Sequence, residues 1–262
     1  MIRFLKRAYL GIILLVLYAP IALLMVYSFN ESKTTSWQGF SIKWYIELFN
    51  DPSIQRAFYY TILVATLSAI IATIIGTLAA LGIDKLTDWK RNIIMNITYI
   101  PLLSPDIVIG ISLMLLFKAI NIPFGIITLV LSHVTFCIPY VILSVMPRLK
   151  TMNQNVYEAA LDLGATPMYA FKRVILPEIL PGIISGAFIA FTLSIDDFVV
   201  SFFNTGSGVN TLSIQIYSMA RRGVSPKINA ISTIMFSVIM IILVVVNVRA
   251  NKQAKKLSKQ EY

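Results

Sequence analysis

Three aspartates, Asp106, Asp196 and Asp197, lie inside long apolar segments of the sequence. A carboxylate in hydrocarbon costs roughly 2.5 to 3.5 kcal/mol on the lenient insertion scale, so each of these residues needs a structural or functional reason to be there. Intramembrane carboxylates attract cations, and those on helices interrupted by Pro and Gly are typical of ion and substrate paths. The three aspartates therefore predict a path for a cation across the membrane.

The segments that carry these aspartates contain helix-breaking residues. Pro101 and Pro105 lie in the first segment, and Pro181, Gly182 and Gly186 lie in the second. Proline removes a backbone hydrogen bond, which in lipid must be replaced by a neighbouring group or by water in a cavity. At the rise of a straight helix, Asp106 lies about 20 Å from the membrane edge at which its segment begins. Asp196 and its neighbour Asp197 lie about 25 Å from that edge. All three are thus expected in the outer half of the membrane.

The neighbours of the aspartates leave alternatives open. Asp196 and Asp197 are consecutive, so they lie about 100° apart around a helix and at most one points squarely into a central cavity. The structural alternative for each aspartate is a salt bridge with Lys or Arg, or a place at the water interface. The rings of Tyr99, Tyr140 and Phe198 could face an ammonium group, although such residues taken singly are more often packing or lipid-facing residues.

Other residues give little indication of a metal site, a disulfide, a catalytic site or a nucleotide-binding site. His133 stands in an apolar segment without a cysteine or second histidine at ligand spacing, which favours a packed or hydrogen-bonded histidine over a metal ligand. The lone Cys137 excludes an internal disulfide. The sequence has no Ser/His/Asp arrangement and no P-loop. We therefore expect no enzyme, no metal and no cofactor, and any energy from ATP would come from a partner.

The composition excludes a soluble globular domain. Hydrophobic residues make up 57% of the 262 residues and charged residues 13%, which predicts an all-α integral membrane protein. The six expected transmembrane helices cover about residues 8–29, 57–83, 93–117, 123–145, 179–203 and 228–248. The first follows basic residues as a signal peptide does, but its apolar run is too long and no cleavage site follows, so we expect a retained helix.

The distribution of basic residues predicts the topology. Fifteen of the 22 Lys and Arg residues lie in the amino terminus, the 84–92 loop, the 147–178 loop and the tail, which places these parts and both termini in the cytoplasm. The same effect accounts for the net charge of +10 without nucleic acid. Three basic residues are expected on the outer side, against the rule that Lys and Arg concentrate in the cytoplasm: Arg221, Arg222 and Lys227.

The chain divides into three expected regions. Residues 1–56 hold the first helix and an outer loop, in which Phe40, Trp44 and Leu48 recur at helical spacing and predict a short helix at the membrane surface. Residues 57–250 form a core with five transmembrane helices, and residues 251–262 form a basic cytoplasmic tail that we expect at the anionic leaflet of the lipid bilayer.

One long polar stretch, Glu158 to Pro177 (EAALDLGATPMYAFKRVILP), separates two apolar spans. It predicts a short helix over 155–163, a break at Gly164 and a second short helix from Pro167. The spacing of Glu158-Ala159-Ala160, Gly164, Val174 and Leu176-Pro177 resembles the cytoplasmic loop signature of ABC importer permeases. Val174 stands at a position where that signature usually has Ile. In that family the loop is a coupling helix, here within residues 153–177, that docks on a separate ATPase. The resemblance implies this role for Glu158, Ala159, Ala160, Asp162, Gly164, Leu176 and Pro177.

Three further segments, PLLSPDIVIGISL (101–113), TLSIDDFVVSFF and TLSIQIYSMAR, are similar to the C-type permease subunit of bacterial spermidine/putrescine importers. This resemblance implies a type I ABC importer permease fold in the bacterial inner membrane. It also implies a heterodimer with a homologous B-type permease, two copies of an ATPase and an extracytoplasmic polyamine-binding protein. The alternatives are an importer for another small solute and a self-sufficient cation channel or secondary transporter.

Overall fold

The computed structural model describes residues 2–33, 36–223 and 226–257, and helices form nearly all the regular structure in these ranges. A single isolated β-bridge joins Asn30 and Phe40. The helices are α1 (Ile2–Tyr27), α2 (Lys43–Phe49), α3 (Pro52–Asp84), α4 (Asp88–Leu103), α5 (Asp106–Ala119), α6 (Ile126–Thr151), α7 (Gln154–Asp162), α8 (Pro167–Ala170), α9 (Leu176–Asp196), α10 (Val199–Asn204), α11 (Leu212–Arg221) and α12 (Pro226–Leu257). A π-helical turn, Phe171–Ile175, connects α8 to α9.

Four helical stretches of the described chain are long and apolar enough to cross a membrane. They are Lys6–Tyr27, Pro52–Asp84, Ile126–Thr151 and Pro167–Asp196. The pair α4 and α5 passes the same test together and supplies a fifth crossing if the pair counts as one broken span. A shorter apolar stretch, Pro226–Ile241, begins α12. The predicted all-helical, multi-pass membrane architecture is therefore confirmed.

The chain separates into two units. The first takes the described residues up to Gln55 and from Gln215 onwards, and in it α12 packs against α1 and α2. The predicted short helix is present as α2, although Phe40 precedes it. Trp44 and Leu48 are buried, and the Trp44 indole N–H donates to the Asn30 carbonyl at 2.7 Å. The apolar side of α2 is therefore covered by protein of its own unit.

The second unit, residues 56–214, is built on α6 and α9, which make its most extensive helix contact. Its core includes Val141 and Val145 of α6 and Ile179 of α9, all fully buried. A Cβ at Gly182 would lie 2.7 Å from the Ser144 carbonyl oxygen, so only glycine lets the two backbones approach this closely. Such close packing is the main way in which membrane helices associate.

Two of the apolar segments are broken. The α4 and α5 helices meet at an angle of 104° across Ser104 and Pro105. The predicted interruption of the segment over 93–117 is thus present, but the depth of about 20 Å for Asp106 does not apply to it, because the rise per residue measures depth only along an unbent axis. The segment expected over 179–203 likewise ends at Asp196, bends at Asp197 and resumes as α10.

The polar stretch folds largely as predicted. Asn153 caps α7, and Gly164 has φ +86°, a conformation that glycine adopts without steric cost. Pro167 begins α8, and the Thr166 hydroxyl accepts from the Tyr169 amide. The second helix, however, is not short. It continues through the π-helical turn into α9, which gives one helical stretch of 30 residues, Pro167–Asp196.

A hydrogen-bonded ion pair joins two parts of the first unit. Asp51, at the α2–α3 corner, contacts the Lys227 ammonium of α12 at 2.7 Å. The same carboxylate accepts from the amide and the hydroxyl of Ser53, at 3.0 and 2.6 Å. Hydrogen bonds from Lys227 and then Ser53 lower the pKa of Asp51 from 3.8 to about 2. Lys227, which runs against the charge rule, thus has its charge balanced within its own unit.

We predict that Asp51→Asn and Lys227→Gln each lower the free energy of unfolding by about 1 kcal/mol at neutral pH, the upper range for a pair near the surface. Because folding lowers this pKa, the stabilisation is present above about pH 4 and is lost as the pH falls towards 2. Thermal unfolding of the purified chain from pH 2 to 7 measures the effect. Glu47→Gln, which breaks the more exposed 3.9 Å pair with Lys43, is the control. An equal loss in this control would contradict the prediction.

Candidate functional site

The break between α9 and α10 is built around the carboxylate of Asp197. One oxygen accepts from the Val200 amide at 3.2 Å and the other from the Ser201 amide at 2.7 Å. The side chain is only 9% exposed. Asp197 thus caps the first turn of α10, which supplies acceptors for N–H groups that have no partner within the helix. This structural role differs from the salt bridge or the place at the water interface that the sequence left open.

His133 of α6 lies against the same break. Its Nδ1 is 2.6 Å from the Ser194 hydroxyl of α9, and its Nε2 is 2.9 Å from the Ser201 hydroxyl of α10. The Asp197 carboxylate is 3.5 Å from Nε2. The ring is fully buried, and the interpretation of His133 as a hydrogen-bonded histidine is confirmed. No group of three or more His, Cys, Asp or Glu residues in the described chain could hold a metal ion.

The other two aspartates are exposed at helix ends. Asp106 is the first residue of α5, and Asp196 is the last residue of α9. The ion pairs of the described residues include neither of them. Asp106 also lies within electrostatic range of the Tyr140 hydroxyl of α6. The structure therefore places these two carboxylates at the breaks of two helices, where a solute can reach them in the isolated chain.

The predicted aromatic residues are distributed unevenly. Tyr140 is half-buried near Asp106, whereas Tyr99 is exposed on α4. Phe198 lies in the α9–α10 break, and its ring packs against Phe202 with centroids 5.5 Å apart. Tyr140 and Phe198 are thus each close to one of the breaks that carry a carboxylate.

Several polar residues of this region escaped the sequence interpretation. Asn204 of α10 donates to the Gly110 carbonyl of α5 at 3.1 Å, and the Thr128 hydroxyl of α6 donates to the Asn204 carbonyl at 2.9 Å. The signal was present in the sequence, because Ser194, Asp197, Ser201 and Asn204 recur every three or four residues in an apolar segment. These bonds hold α10 to α5 and α6, so the far parts of both broken helices pack together.

The polar stretch presents an exposed surface that we call the coupling surface, comprising α7, residues 163–166 and α8. Its apolar residues are conspicuous: Leu163 is 90% exposed, and Val156, Met168 and Tyr169 are also exposed. Beside them the acidic side chains of Glu158 and Asp162 face outwards. Exposed apolar side chains bordered by charges are typical of a protein interaction site.

The remaining residues of the predicted coupling set have different environments. Ala159, Gly164 and Pro177 are exposed, whereas Ala160 and Leu176 are half-buried. Leu176 and Pro177 begin α9 directly after the π-helical turn.

One contact fixes α7 from the side. The Lys85 ammonium of the α3–α4 loop lies over the Tyr157 ring at 5.6 Å from its centroid. Such a cation–π contact contributes about 0.5 to 1 kcal/mol at an exposed site.

Residues 72–257 match the family described as the inner membrane component of binding-protein-dependent transport systems. The chain belongs to this family. The match begins inside α3 and includes both helix breaks and the whole coupling surface.

Three curated relatives align with most of this chain. It is 38% identical over 254 residues to the spermidine/putrescine transport system permease protein PotC of Escherichia coli K12, which covers 97% of this chain and 96% of that protein. It is 40% identical over 234 residues to the putrescine transport system permease protein PotI of the same organism, with 86% and 83% covered. PotC of Haemophilus influenzae is 38% identical over 245 residues, with 93% and 95% covered.

Solved structures share the fold of the permease. A bacterial ABC transporter that imports the acidic polysaccharide alginate superposes with a TM-score of 0.71 at 20% identity, covering 95% of this chain and 96% of that chain. The MetNI methionine ABC transporter, in inward-facing conformations, gives a TM-score of 0.59 at 18% identity, with 77% and 94% covered. The predicted type I ABC permease fold is thereby confirmed.

We predict that Asp197→Ala lowers the free energy of unfolding by about 1 to 3 kcal/mol, because two amides lose their buried acceptor. Asp197→Asn keeps one side-chain oxygen as an acceptor and should therefore lower the free energy of unfolding by less. Asp196→Ala, which removes the exposed neighbouring carboxylate, is the control and should change stability little. Unfolding of each variant in detergent by denaturant measures the series, and equal losses at the two positions would contradict the capping role.

Proposed function

We propose that this chain is the transmembrane permease subunit of an ATP-driven ABC importer that moves polyamines such as spermidine and putrescine into a bacterial cell. The observation that carries the proposal is the 38% identity to PotC over 97% of the chain. The fold alone supports no particular substrate, since importers of alginate and of methionine share it. The substrate proposal therefore depends on the similarity to the Pot permeases and on the exposed carboxylates.

The path for the cation would run beside the two broken helices. A polyamine carries several ammonium groups and loses hydration on entering the membrane, so carboxylates along its route compensate for that loss. Asp106 and Asp196, both exposed, are suited to direct contact, with Tyr99, Tyr140 and Phe198 as ring partners. Asp197 would contribute mainly by holding the corner that carries Asp196, because its oxygens already accept two amides.

The proposed topology has six transmembrane helices in the bacterial inner membrane and both termini in the cytoplasm. The bent α4–α5 pair and α12 would supply the two crossings beyond the four long apolar stretches. The regions remain those inferred from the sequence: residues 1–56, a core over 57–250 and a basic tail over 251–262. Of this tail, residues 258–262 lie outside the described residues.

The chain itself would be non-catalytic. The coupling surface, with exposed apolar and acidic side chains, suits docking on a separate ATPase, of which the assembled importer would hold two copies. A homologous B-type permease would complete the heterodimer, and an extracytoplasmic polyamine-binding protein would deliver the substrate. A self-sufficient channel or secondary transporter would instead show uptake by this chain alone in liposomes without ATP.

We predict that Asp106→Asn and Asp196→Asn each reduce polyamine uptake about tenfold, the effect of losing roughly 1.4 kcal/mol of attraction for a cation. Asp→Glu at the same positions keeps the charge and should retain most uptake. Labelled spermidine uptake by the assembled transporter measures the effect, with membrane insertion checked in parallel. Glu47→Gln in α2 is the control. Full transport in both Asn variants would reject the path.

We further predict that Glu158→Ala and Gly164→Pro uncouple ATP hydrolysis from transport. Proline cannot adopt the φ of +86° found at Gly164, so the turn between α7 and α8 would be lost. Substrate-stimulated ATPase activity and uptake are measured together in proteoliposomes. Asp88→Asn, which changes an exposed acidic residue of α4, is the control, and unchanged coupling in both variants would contradict the docking role.

A further inference from the structure

The break between α9 and α10 depends on a residue from a third helix. After Asp196 the chain turns with ψ 127° at Asp197, and α10 begins two residues later. The Asp197 carboxylate satisfies the amides on the α10 side. It does not by itself fix the angle between the two helices, because both of its acceptor contacts lie on the same side of the break.

His133 contacts both sides. Its Nδ1 reaches Ser194, in the last turn of α9, and its Nε2 reaches Ser201, in the first turn of α10. These two serines are seven residues apart with the break between them. The ring is fully buried and also packs against Phe136 of its own helix, with centroids 5.2 Å apart. One side chain of α6 therefore bridges the ends of two helices.

The hydrogen-bond partners favour one tautomer of this ring. The Ser201 hydroxyl lies 3.4 Å from the Asp197 carbonyl, to which it donates, so it accepts from Nε2–H of His133. The Ser194 hydroxyl then donates to Nδ1. A neutral ring satisfies both nitrogens and turns its N–H towards the nearby carboxylate of Asp197.

We infer that His133 is a positioning residue of the cation path, which fixes the angle of the α9–α10 corner by hydrogen-bonding Ser194 and Ser201 at once. The inference rests on the proposed function, because the corner is what places the exposed Asp196 carboxylate. The bridge acts within the helix pair of the unit that has the most extensive contact, α6 and α9. Loss of the ring leaves two buried hydroxyls without this partner and lets α10 move relative to α9.

Transport kinetics test the positioning role. In the assembled transporter, His133→Ala should raise the KM for spermidine about tenfold and leave the maximal rate nearly unchanged, since the coupling surface is intact. Ser201→Ala should act similarly, and the double variant should be no worse than the stronger single variant, because both remove one bridge. His133→Gln keeps a donor and an acceptor and should recover part of the affinity.

The matched control is Cys137→Ala. Cys137 lies one turn further along α6, is fully buried and contacts the Ala190 carbonyl of α9 at 3.4 Å, one helical turn before Ser194. The Cys137→Ala variant loses packing between the same two helices but should leave the KM for spermidine unchanged. Additive effects of the His133 and Ser201 variants, a change in the maximal rate alone, or an equal KM effect in the Cys137 variant would overturn the inference.

Hydrogen exchange of the purified chain tests the bridge without any substrate. His133→Ala should speed exchange of the Val200 and Ser201 amides about tenfold, and Cys137→Ala should not. Unchanged exchange in the His133 variant would overturn the inference whatever the substrate is. If the unsubstituted transporter takes up no polyamine, the proposed function fails, and the exchange measurement still decides whether His133 holds the corner.

Discussion

Backbone amides and carbonyls find no water in hydrocarbon, so a helix that breaks within an apolar segment needs other partners for its free backbone groups. At Asp197 the backbone amide still reaches the Leu193 carbonyl, and the carboxylate accepts from the amides of Val200 and Ser201. At Ser104 the amide and the hydroxyl both donate to the Ile100 carbonyl. The α9–α10 break is therefore capped on the α10 side by Asp197, and the α4–α5 break is hydrogen-bonded on the α4 side by Ser104.

The same constraint gives two consecutive carboxylates different roles. Asp197 is buried and engaged by amides, whereas Asp196 ends α9 with its side chain exposed. On a continuous helix the two would differ only in direction. Because the helix ends between them, one becomes part of the backbone's hydrogen bonding and the other remains available to a ligand. A break thus gives two consecutive aspartates different environments, one buried against backbone amides and one exposed.

Features that depend on local chemistry could be predicted from the sequence. The apolar segments, the turn at Gly164 and the start of a helix at Pro167 follow from composition and from backbone preferences. The bend of 104° could not be predicted, because Pro105 shows where a hydrogen bond is missing but not in which direction the chain turns. Likewise, the spacing of Trp44 and Leu48 predicts an apolar face, but it does not show whether lipid or protein covers that face.

The site required knowledge of which helices meet. Ser194, Ser201 and Asn204 are ordinary residues in the sequence, and they gain a role only because α6 and α5 lie against them. His133 could be predicted to hydrogen-bond, but its two partners lie more than 60 residues away along the chain. Contacts of this range depend on tertiary packing, which no local pattern contains.

The continuity of the helical stretch Pro167–Asp196 links the coupling surface to the corner that carries Asp196. Its 30 residues span about 45 Å at the rise of an α-helix, from the coupling surface to the corner that carries Asp196. A rigid connection of this kind passes a displacement at one end to the other with little loss. The π-helical turn at Phe171–Ile175 lies near the coupling surface, so the helix departs from regular α-helical geometry at that end. Beyond this turn, the close approach of α9 to α6 at Gly182 restricts sideways movement of α9. Under the proposed function, movement of the coupling surface would reach the carboxylate corner mainly through α9, and the hydrogen bonds of His133 would hold that corner to α6.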